Sequence, residues 1–505
     1  MTGQTTTVQT PYQQLERRFA RLGALHEAMS VLNWDHSAIM PVGGAEARQT
    51  QLSTLEVVCH ELLTDPRLGD TFPEAEAQND LDLWQRANLV EMRRDWLHAT
   101  AVPAELVEAR VKASLSCEMI WREARPANDY ARVKPALQKL LDLTRETAQV
   151  KAAALGKTPY DSLLDEYEPD GSAEEIDGLF AELSRFLPGT IAAILERQAS
   201  RPAPLMPEGP FPIDQQKEVG LKLMQAIGFD FTHGRLDISV HPFCGGTPDD
   251  VRITTRYFEN DFGKAMMAVL HETGHALYEL GLPQDWRRQP VGKARSMSLH
   301  ESQSLLTEMQ ACRSREYLEF AAPILRDAFG GSGPAWEPEN LYRLNTRVSR
   351  SLIRVDADEA TYPAHVILRY RLEKALIAGD LSLDDLPGAW REGMQQLIGI
   401  TPSDDKDGVM QDIHWYSGLF GYFSTYTLGA MTAAQLFDAA TTQLPEIKPS
   451  IATGNFAPLL GWLRKNVHSR GSSTSTKQIL IDATGKKLDV SVFERHLTRR
   501  YLQDA

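Results

Sequence analysis

A mainly α-helical fold, interrupted once by a small β element, follows from three features of the sequence. Apolar residues recur at three- and four-residue steps over long stretches, one segment alone alternates with period two, and Pro- and Gly-rich clusters separate the stripes. The first stripe runs from Tyr12 to Leu32 and sets Leu15, Phe19, Leu22, Leu25, Met29 and Leu32 on one helical face. Similar stripes over 79–98, 132–154, 174–197 and 216–226 predict further helices, with loops at Pro202–Pro212 and Gly330–Pro338. The period-two segment spans Leu236 to Tyr257, through Ile238-Ser-Val240 and Val251-Arg-Ile-Thr-Thr-Arg-Tyr257. It reads as a strand pair with Gly245-Gly246-Thr247-Pro248 in the connection. A long helix is expected next, from about Asn260 to Leu280. There is no repeat of fixed period, and the Ser/Thr-rich Gly471–Thr476 is too short for a domain linker. One domain over residues 1–505 is therefore expected, with about residues 1–10 flexible.

Composition narrows the function classes. The chain has 53 Lys and Arg against 68 Asp and Glu, a formal net charge of -15, which disfavours a nucleic-acid partner. Cys59, Cys117, Cys244 and Cys312 lie far apart with no CxxC pair, as expected of free thiols. The N-terminal residues Met1–Tyr12 are polar and show no basic-then-apolar signal pattern. The apolar stretch Leu419–Phe437 is broken by Ser424, Thr425, Thr427, Thr432 and Gln435, too polar for a membrane span. A cytoplasmic location is the expectation.

The strongest chemical signal is His271-Glu272-Thr273-Gly274-His275. Phe262, Ala265, Met266, Val269, Leu270, Ala276, Leu277 and Leu280 form an apolar stripe around it, so it sits on a helix. Two histidines at i and i+4 then project from one face and can reach one ion, about 2.0–2.1 Å from each ring nitrogen. Glu272, beside the first ligand, can meet a water on that ion rather than the ion itself. Gly274 weakens a helix by about 1 kcal/mol relative to Ala, and a small residue there lets another backbone come close. A neighbouring sheet edge could align an extended peptide by main-chain hydrogen bonds.

Zinc sites that keep an open position use three protein ligands, commonly two His and one Glu. Glu301 lies 26 residues after His275, in His300-Glu301-Ser302-Gln303-Ser304, at the start of a second helical stretch read as far as about Phe320. It could reach the metal face if the two helices pack antiparallel. By spacing alone, Glu308 or Glu279 could serve instead, and a Glu in a first helical turn is also favoured by the macrodipole.

These residues belong to a longer series of ordered motifs. Trp34-Asp35, Met40-Pro-Val-Gly-Gly44, Tyr160-Asp-Ser-Leu-Leu-Asp-Glu-Tyr-Glu-Pro169, His241-Pro-Phe243 and Asp250-Val-Arg-Ile-Thr254 precede the two His/Glu motifs. Ile353-Arg-Val-Asp-Ala-Asp358, Gly408-Val-Met-Gln-Asp-Ile-His-Trp415 and Gly421-Tyr-Phe-Ser-Thr-Tyr426 follow them. With this series, the chain resembles the carboxypeptidase Taq family, the M32 zinc metallocarboxypeptidases, over essentially its whole length. The resemblance implies a large helical fold with two lobes around a deep substrate groove, akin to neurolysin. It implies His271, His275 and Glu301 as ligands of one Zn2+ per chain, which Co2+ can replace, and Glu272 as general base and then acid. It also implies a homodimer that removes C-terminal residues from peptides with broad specificity. Departures from the family pattern are Thr307, Met309, Ser424 and Leu280; none is a proposed ligand, and they bear on substrate preference and on loop rigidity around 424.

An enzyme acting at a chain end must recognise a free carboxylate, and a guanidinium does so with a permanent charge and a two-pronged donor. Arg354 is the first choice for this clamp, its alternative being a pair with Asp356 or Asp358; Arg252 is the second, its alternative a pair with Asp250. Tyr422, Tyr426 and His414 are candidates to stabilise the oxyanion. His241 could line the groove or cap the strand turn. Competing readings are a zinc endopeptidase of the same broad fold and a catalytically idle peptide-binding protein.

Overall fold

The computed structural model describes residues 9–503. Nine helices come first: α1 (Pro11–Ala38), α2 (Ala45–Leu63), α3 (Leu68–Glu76), α4 (Leu83–Thr100), α5 (Ala104–Ala124), α6 (Tyr130–Leu155), α7 (Pro159–Leu164), α8 (Ala173–Ala199) and α9 (Ile213–Ile227). Four of the five predicted stripes fall within them, and the fifth, 79–98, begins four residues before α4. Thr10 accepts from the Gln13 amide while Gln13 reaches back to it, a capping box that starts α1. Most of the N-terminal segment expected to be flexible, residues 1–8, lies outside the described residues.

Three strands follow: β1 (Gly234–Ile238), β2 (Phe243–Thr247) and β3 (Asp250–Thr255). β3 is central, parallel to β1 and antiparallel to β2. This corrects the expected strand pair, since Gly245, Gly246 and Thr247 lie inside β2 and only Pro248-Asp249 turns the chain. Gly246 adopts φ +86°, and a Cβ there would run into the Asp250 carbonyl. The Gly-Gly pair thus serves a close strand approach, although it reads locally as a turn. Ser30 of α1 donates to the Gly246 carbonyl at 2.7 Å, seating α1 along this edge.

The remaining helices are α10 (Phe262–Gly281), α11 (Met297–Leu305), α12 (Arg315–Ala328), α13 (Pro338–Asn345), α14 (Tyr362–Ala378), α15 (Leu386–Leu397), α16 (Ser424–Gln443), α17 (Ile447–Ile451), α18 (Ala457–Asn466), α19 (Thr476–Thr484) and α20 (Val490–Leu502). The helix expected to run unbroken to Phe320 is instead three pieces. α11, capped by Ser296, widens into a π-helical segment at Leu306–Cys312, and a fresh cap at Ser314 starts α12.

Two large hydrophobic cores make the two lobes. One gathers α5–α8, α14, α15 and α20; the other gathers α9–α13 and α17–α19, and α16 contributes to both. α1–α4 pack around a smaller core of their own, and Val251 and Ile253 of β3 meet Val269 of α10 in a fourth. Among the described residues, α8, with an 18-residue stretch of mean hydropathy 1.3, is the one helix long and apolar enough by composition to cross a membrane. Its Ile176, Phe180, Leu183, Leu187, Ile191 and Ile194 are buried in the first core.

Two glycines let three helices touch at backbone distance. A Cβ on Gly274 of α10 would strike the Gln303 carbonyl and lie 2.6 Å from the Ser304 Cα of α11. One on Gly429 of α16 would lie 2.9 Å from the Glu301 Cβ and Cγ. At the far end, Glu359 accepts from His496 (2.8 Å), Arg500 (2.9 Å) and Tyr501 (2.9 Å), tying α20 to the chain before α14.

Gly274→Ala is expected to destabilise the fold by about 1–3 kcal/mol through overpacking. Gly461→Ala on α18, where a Cβ meets nothing within 4 Å, should stabilise it by about 0.4–1 kcal/mol. Paired urea titrations check the contrast. Glu359 is fully buried, yet Arg500 and His496 hold its pKa well below the usual carboxylate range. A lowered folded-state pKa stabilises above the unfolded value of about 4.3 and is lost as pH falls below it. Glu359→Gln, which leaves Arg500 buried without its anion, should cost about 3–5 kcal/mol at pH 7. The difference from the parent chain should shrink in unfolding midpoints measured from pH 5 down to pH 3.

Candidate active site

Asp261 caps α10 by accepting from the Lys264 amide, and the helix carries His271 and His275 one turn apart, ring centroids 5.0 Å from each other. Because α11 crosses at Gly274, Glu301 arrives over that same turn. Its Oε2 lies 3.8 Å from His271 Nε2 and 3.4 Å from His275 Nε2. One donor atom from each of the three lies within 4.8 Å of the others, the one such His/Cys/Asp/Glu group among the described residues. Donors placed about 2.0–2.2 Å from a tetrahedral ion stand roughly 3.3–3.6 Å apart. The His275–Glu301 spacing falls in that range and the His271–Glu301 spacing lies just beyond it, so two imidazoles and a carboxylate are placed to close on one divalent ion.

Glu308 and Glu279, the alternatives by spacing, take other positions. His271 Nδ1 donates to Glu308 Oε2 at 2.9 Å, and Arg313 holds the other Glu308 oxygen at 2.7 Å. The π-helical widening at Leu306–Cys312 carries Glu308 in this segment. Glu279 can only accept, so His300 Nε2 donates to it at 2.8 Å, and the His300 Nδ1 then accepts from His275 Nδ1 at 2.6 Å. Both imidazoles are thereby fixed with Nε2 towards Glu301, the outer support that orients metal-ligating histidines. Neither relay was foreseen from the sequence, although His300 stands beside Glu301 in the same motif.

Charge is concentrated here. Burial opposes a charged His271, but the Glu301, Glu308 and Glu272 carboxylates outweigh it and raise its pKa to about 10. Burial lowers His275 to about 4. Burial disfavours an ionised Glu301, but the two histidines hold it at about 2. Glu272 is raised to about 7 by burial, against the pull of His271, with Glu301 adding to the rise. Among the described residues no hydrogen bond ends on its carboxylate.

A second wall faces Glu301 from the first lobe. Arg354 directs Nε and Nη2 to Asp412 Oδ1 (3.0 and 2.8 Å) and Nη1 to the Tyr362 hydroxyl (2.6 Å). Asp356 and Asp358, the partners weighed as the alternative to a clamp, are not the ones it takes. Its guanidinium carbon lies 5.1 Å from the Tyr426 ring centre. Tyr426 stands 5.3 Å from Tyr422 and 6.0 Å from Tyr362, and all three tyrosines feel the Glu301 charge. His414 Nε2 pairs with the Tyr426 hydroxyl at 3.2 Å, and burial lowers its pKa to about 4. Ser424 is the fully buried first residue of α16. Tyr362, Asp412 and Tyr167, which packs edge-on against Tyr422 at 5.0 Å, are wall residues the sequence reasoning missed.

Arg252 is not part of either wall. Val251 and Ile253 point at α10, so by strand alternation Arg252 points to the opposite face. There it forks onto Asp250 (2.6–3.1 Å) and lies 4.5 Å from the Trp34 ring centre. His241 sits between β1 and β2 with an exposed side chain, while its carbonyl accepts from Ser239 at 2.5 Å.

The chain is similar to known proteins over nearly its whole length. The profile of the family described as Carboxypeptidase Taq (M32) metallopeptidase matches residues 14–501. Thermostable carboxypeptidase 1 of Thermus thermophilus is 39% identical over 509 residues, covering 98% of this chain and 99% of its own. The solved structure of Trypanosoma cruzi metallocarboxypeptidase 1 superposes with a TM-score of 0.95 at 40% identity, over 97% of this chain and 99% of that one. An M32 carboxypeptidase from Deinococcus radiodurans R1 gives 0.91 at 35% identity, over 97% and 98%. Fold, converging donor set and full-length similarity lead to one conclusion: the chain belongs to the carboxypeptidase Taq (M32) metallopeptidase family and is a hydrolase, a carboxypeptidase of that type.

Proposed function

We propose that the protein is a zinc-dependent carboxypeptidase that hydrolyses the C-terminal bond of peptides with broad specificity, acting as a cytoplasmic homodimer. The observation that carries this reading is the convergence of His271, His275 and Glu301, with Glu272 beside them and a guanidinium on the facing wall. His271, His275 and Glu301 would hold the ion, Co2+ being able to replace Zn2+. When bound, the ion supplies a Lewis acid and lowers the pKa of a coordinated water towards about 7.

Glu272, whose carboxylate is engaged by no other described residue, takes a proton from the attacking water and passes it to the leaving amine. Arg354 receives the substrate's terminal carboxylate. Asp412 and Tyr362 take three of its five N–H donors, which leaves two for a ligand. Tyr422 and Tyr426 offer hydroxyl donors to the oxyanion, and His414 supports Tyr426. The cytoplasmic and dimeric parts of the reading rest on four free thiols and on the family resemblance.

Glu272→Gln should abolish turnover while one zinc per chain remains, read by elemental analysis alongside peptide hydrolysis; an unaltered rate rejects the proton-transfer role. Stepwise product mapping on a short peptide should show one residue released at a time from the C-terminus, lost on chelation. Amidating that terminus should cut kcat/KM by about 100-fold or more, since a charge-paired anchor is worth roughly 3 kcal/mol. Unchanged cleavage of the amide would instead support an endopeptidase.

A further inference from the structure

The helix α14 carries a polar stripe through an apolar environment. Thr361, just before it, and His365, Arg369 and Glu373 follow one another at four-residue steps, and all four are fully buried. Buried charges at such spacing need partners, and these partners belong to the site loops. Arg369 donates from Nε to Asp412 Oδ2 at 2.6 Å and from Nη1 to the His365 carbonyl at 2.9 Å. The same Asp412 uses its other oxygen for Arg354. One turn on, Glu373 accepts from Trp415 Nε1 (2.8 Å) and the Gly421 amide (2.8 Å), gripping the chain just after His414 and just before Tyr422.

Two guanidiniums therefore share one carboxylate. Nη2 of Arg369 has no hydrogen-bond partner among the described residues, and the Trp390 ring lies 4.5 Å from its guanidinium carbon. The nearest histidines add no charge: burial pushes His365 well below its usual pKa and His414 to about 4, so both are neutral at pH 7. Asp412 stays ionised, because the two arginines outweigh its burial and hold its pKa well below the carboxylate range. The buried Arg354–Asp412–Arg369 cluster keeps one positive charge in excess, and an uncompensated buried charge is costly unless an anion meets it.

We infer that Arg369 is a positioning residue for carboxypeptidase specificity: it does not touch the substrate, but anchors Asp412 so that Arg354 is held in one orientation and the cluster is one charge short of neutral until a terminal carboxylate enters. This rests on the reading of Arg354 as the carboxylate clamp. A bond to one oxygen of Asp412 fixes the other, much as an outer partner orients a metal ligand. Without Arg369 the Arg354–Asp412 pair is neutral and its demand for an anion falls.

The test is steady-state hydrolysis of a short peptide as free acid and as C-terminal amide by the zinc-loaded enzyme carrying R369Q, R369M or R369K, with R354Q as reference. R369Q and R369M should raise KM for the acid about tenfold with kcat within about threefold, the mark of lost ground-state binding. R369K, which keeps the charge but offers fewer directed donors, should raise it about threefold. The preference for acid over amide should narrow by the same factors, a readout that general loosening of the fold would not move. Should the neutral variants fail to fold, R369K carries the test. Wild-type KM and wild-type acid preference in R369K, or in a folded neutral variant, would overturn the inference, as would a fall in kcat alone. If R354Q itself leaves KM and acid preference unaltered, the clamp reading has failed; if R354Q moves them and the Arg369 variants do not, the positioning role alone has failed.

Discussion

The crossing of α10 and α11 at Gly274 is the constraint on which the site depends. Two helices normally keep axes 8–10 Å apart because side chains fill the contact. Here the missing Cβ lets the Gln303 carbonyl and Ser304 backbone press against the metal helix. Only at that distance does a short side chain such as Glu301 reach both imidazoles. Gly429 repeats the device from the other side, so that α16 backs the Glu301 stem as α10 receives its carboxylate. Glycine's cost to helix stability is offset by the placement of one oxygen within 3.4 and 3.8 Å of two nitrogens.

Electrostatics divides the cleft into two unlike walls. The metal-helix wall collects carboxylates, Glu272, Glu301 and Glu308, around two imidazoles, which suits a cation. The facing wall sets Arg354 and Arg369 around Asp412, which suits an anion. On the proposed reading, a peptide's last bond lies between a carbonyl to be polarised and a carboxylate to be recognised, and opposite lobes would meet these opposite demands. α16 contributes to both cores and carries Tyr426 as well as Gly429. It is the element through which the two walls are held in register.

Outer partners carry much of this architecture. Glu308 and His300 orient the imidazoles, Asp412 and Tyr362 orient Arg354, and Glu373 holds the loop that bears His414 and Tyr422. Glu308 and Glu373 are buried, His300, Asp412 and Tyr362 half-buried, and all are charged or paired, so each is expensive to change for reasons of stability as well as geometry.

The sequence by itself determined the helical class, the placement of the helices with apolar stripes, and the His271–His275 pair with Glu272 beside it. These are local: a 3.6-residue period and an i, i+4 spacing are set by neighbours along the chain. The family motifs added Glu301 and Arg354. Tertiary structure alone decided what lies between distant segments. It set Glu301, and not Glu308 or Glu279, against both imidazole Nε2 atoms through a backbone crossing that no spacing encodes. It turned Arg252 to the far side of the sheet and paired Arg354 with Asp412 rather than with Asp356 or Asp358. It also made a strand of Gly245–Thr247, paired with Asp250–Arg252, and broke the helix at Leu306–Cys312, because partners outside each segment outweigh its local propensity. His365, Arg369 and Glu373 at four-residue steps in an apolar helix were a legible sign of a buried polar function. What they hold could be known only once the loops around Asp412 and Gly421 were in place.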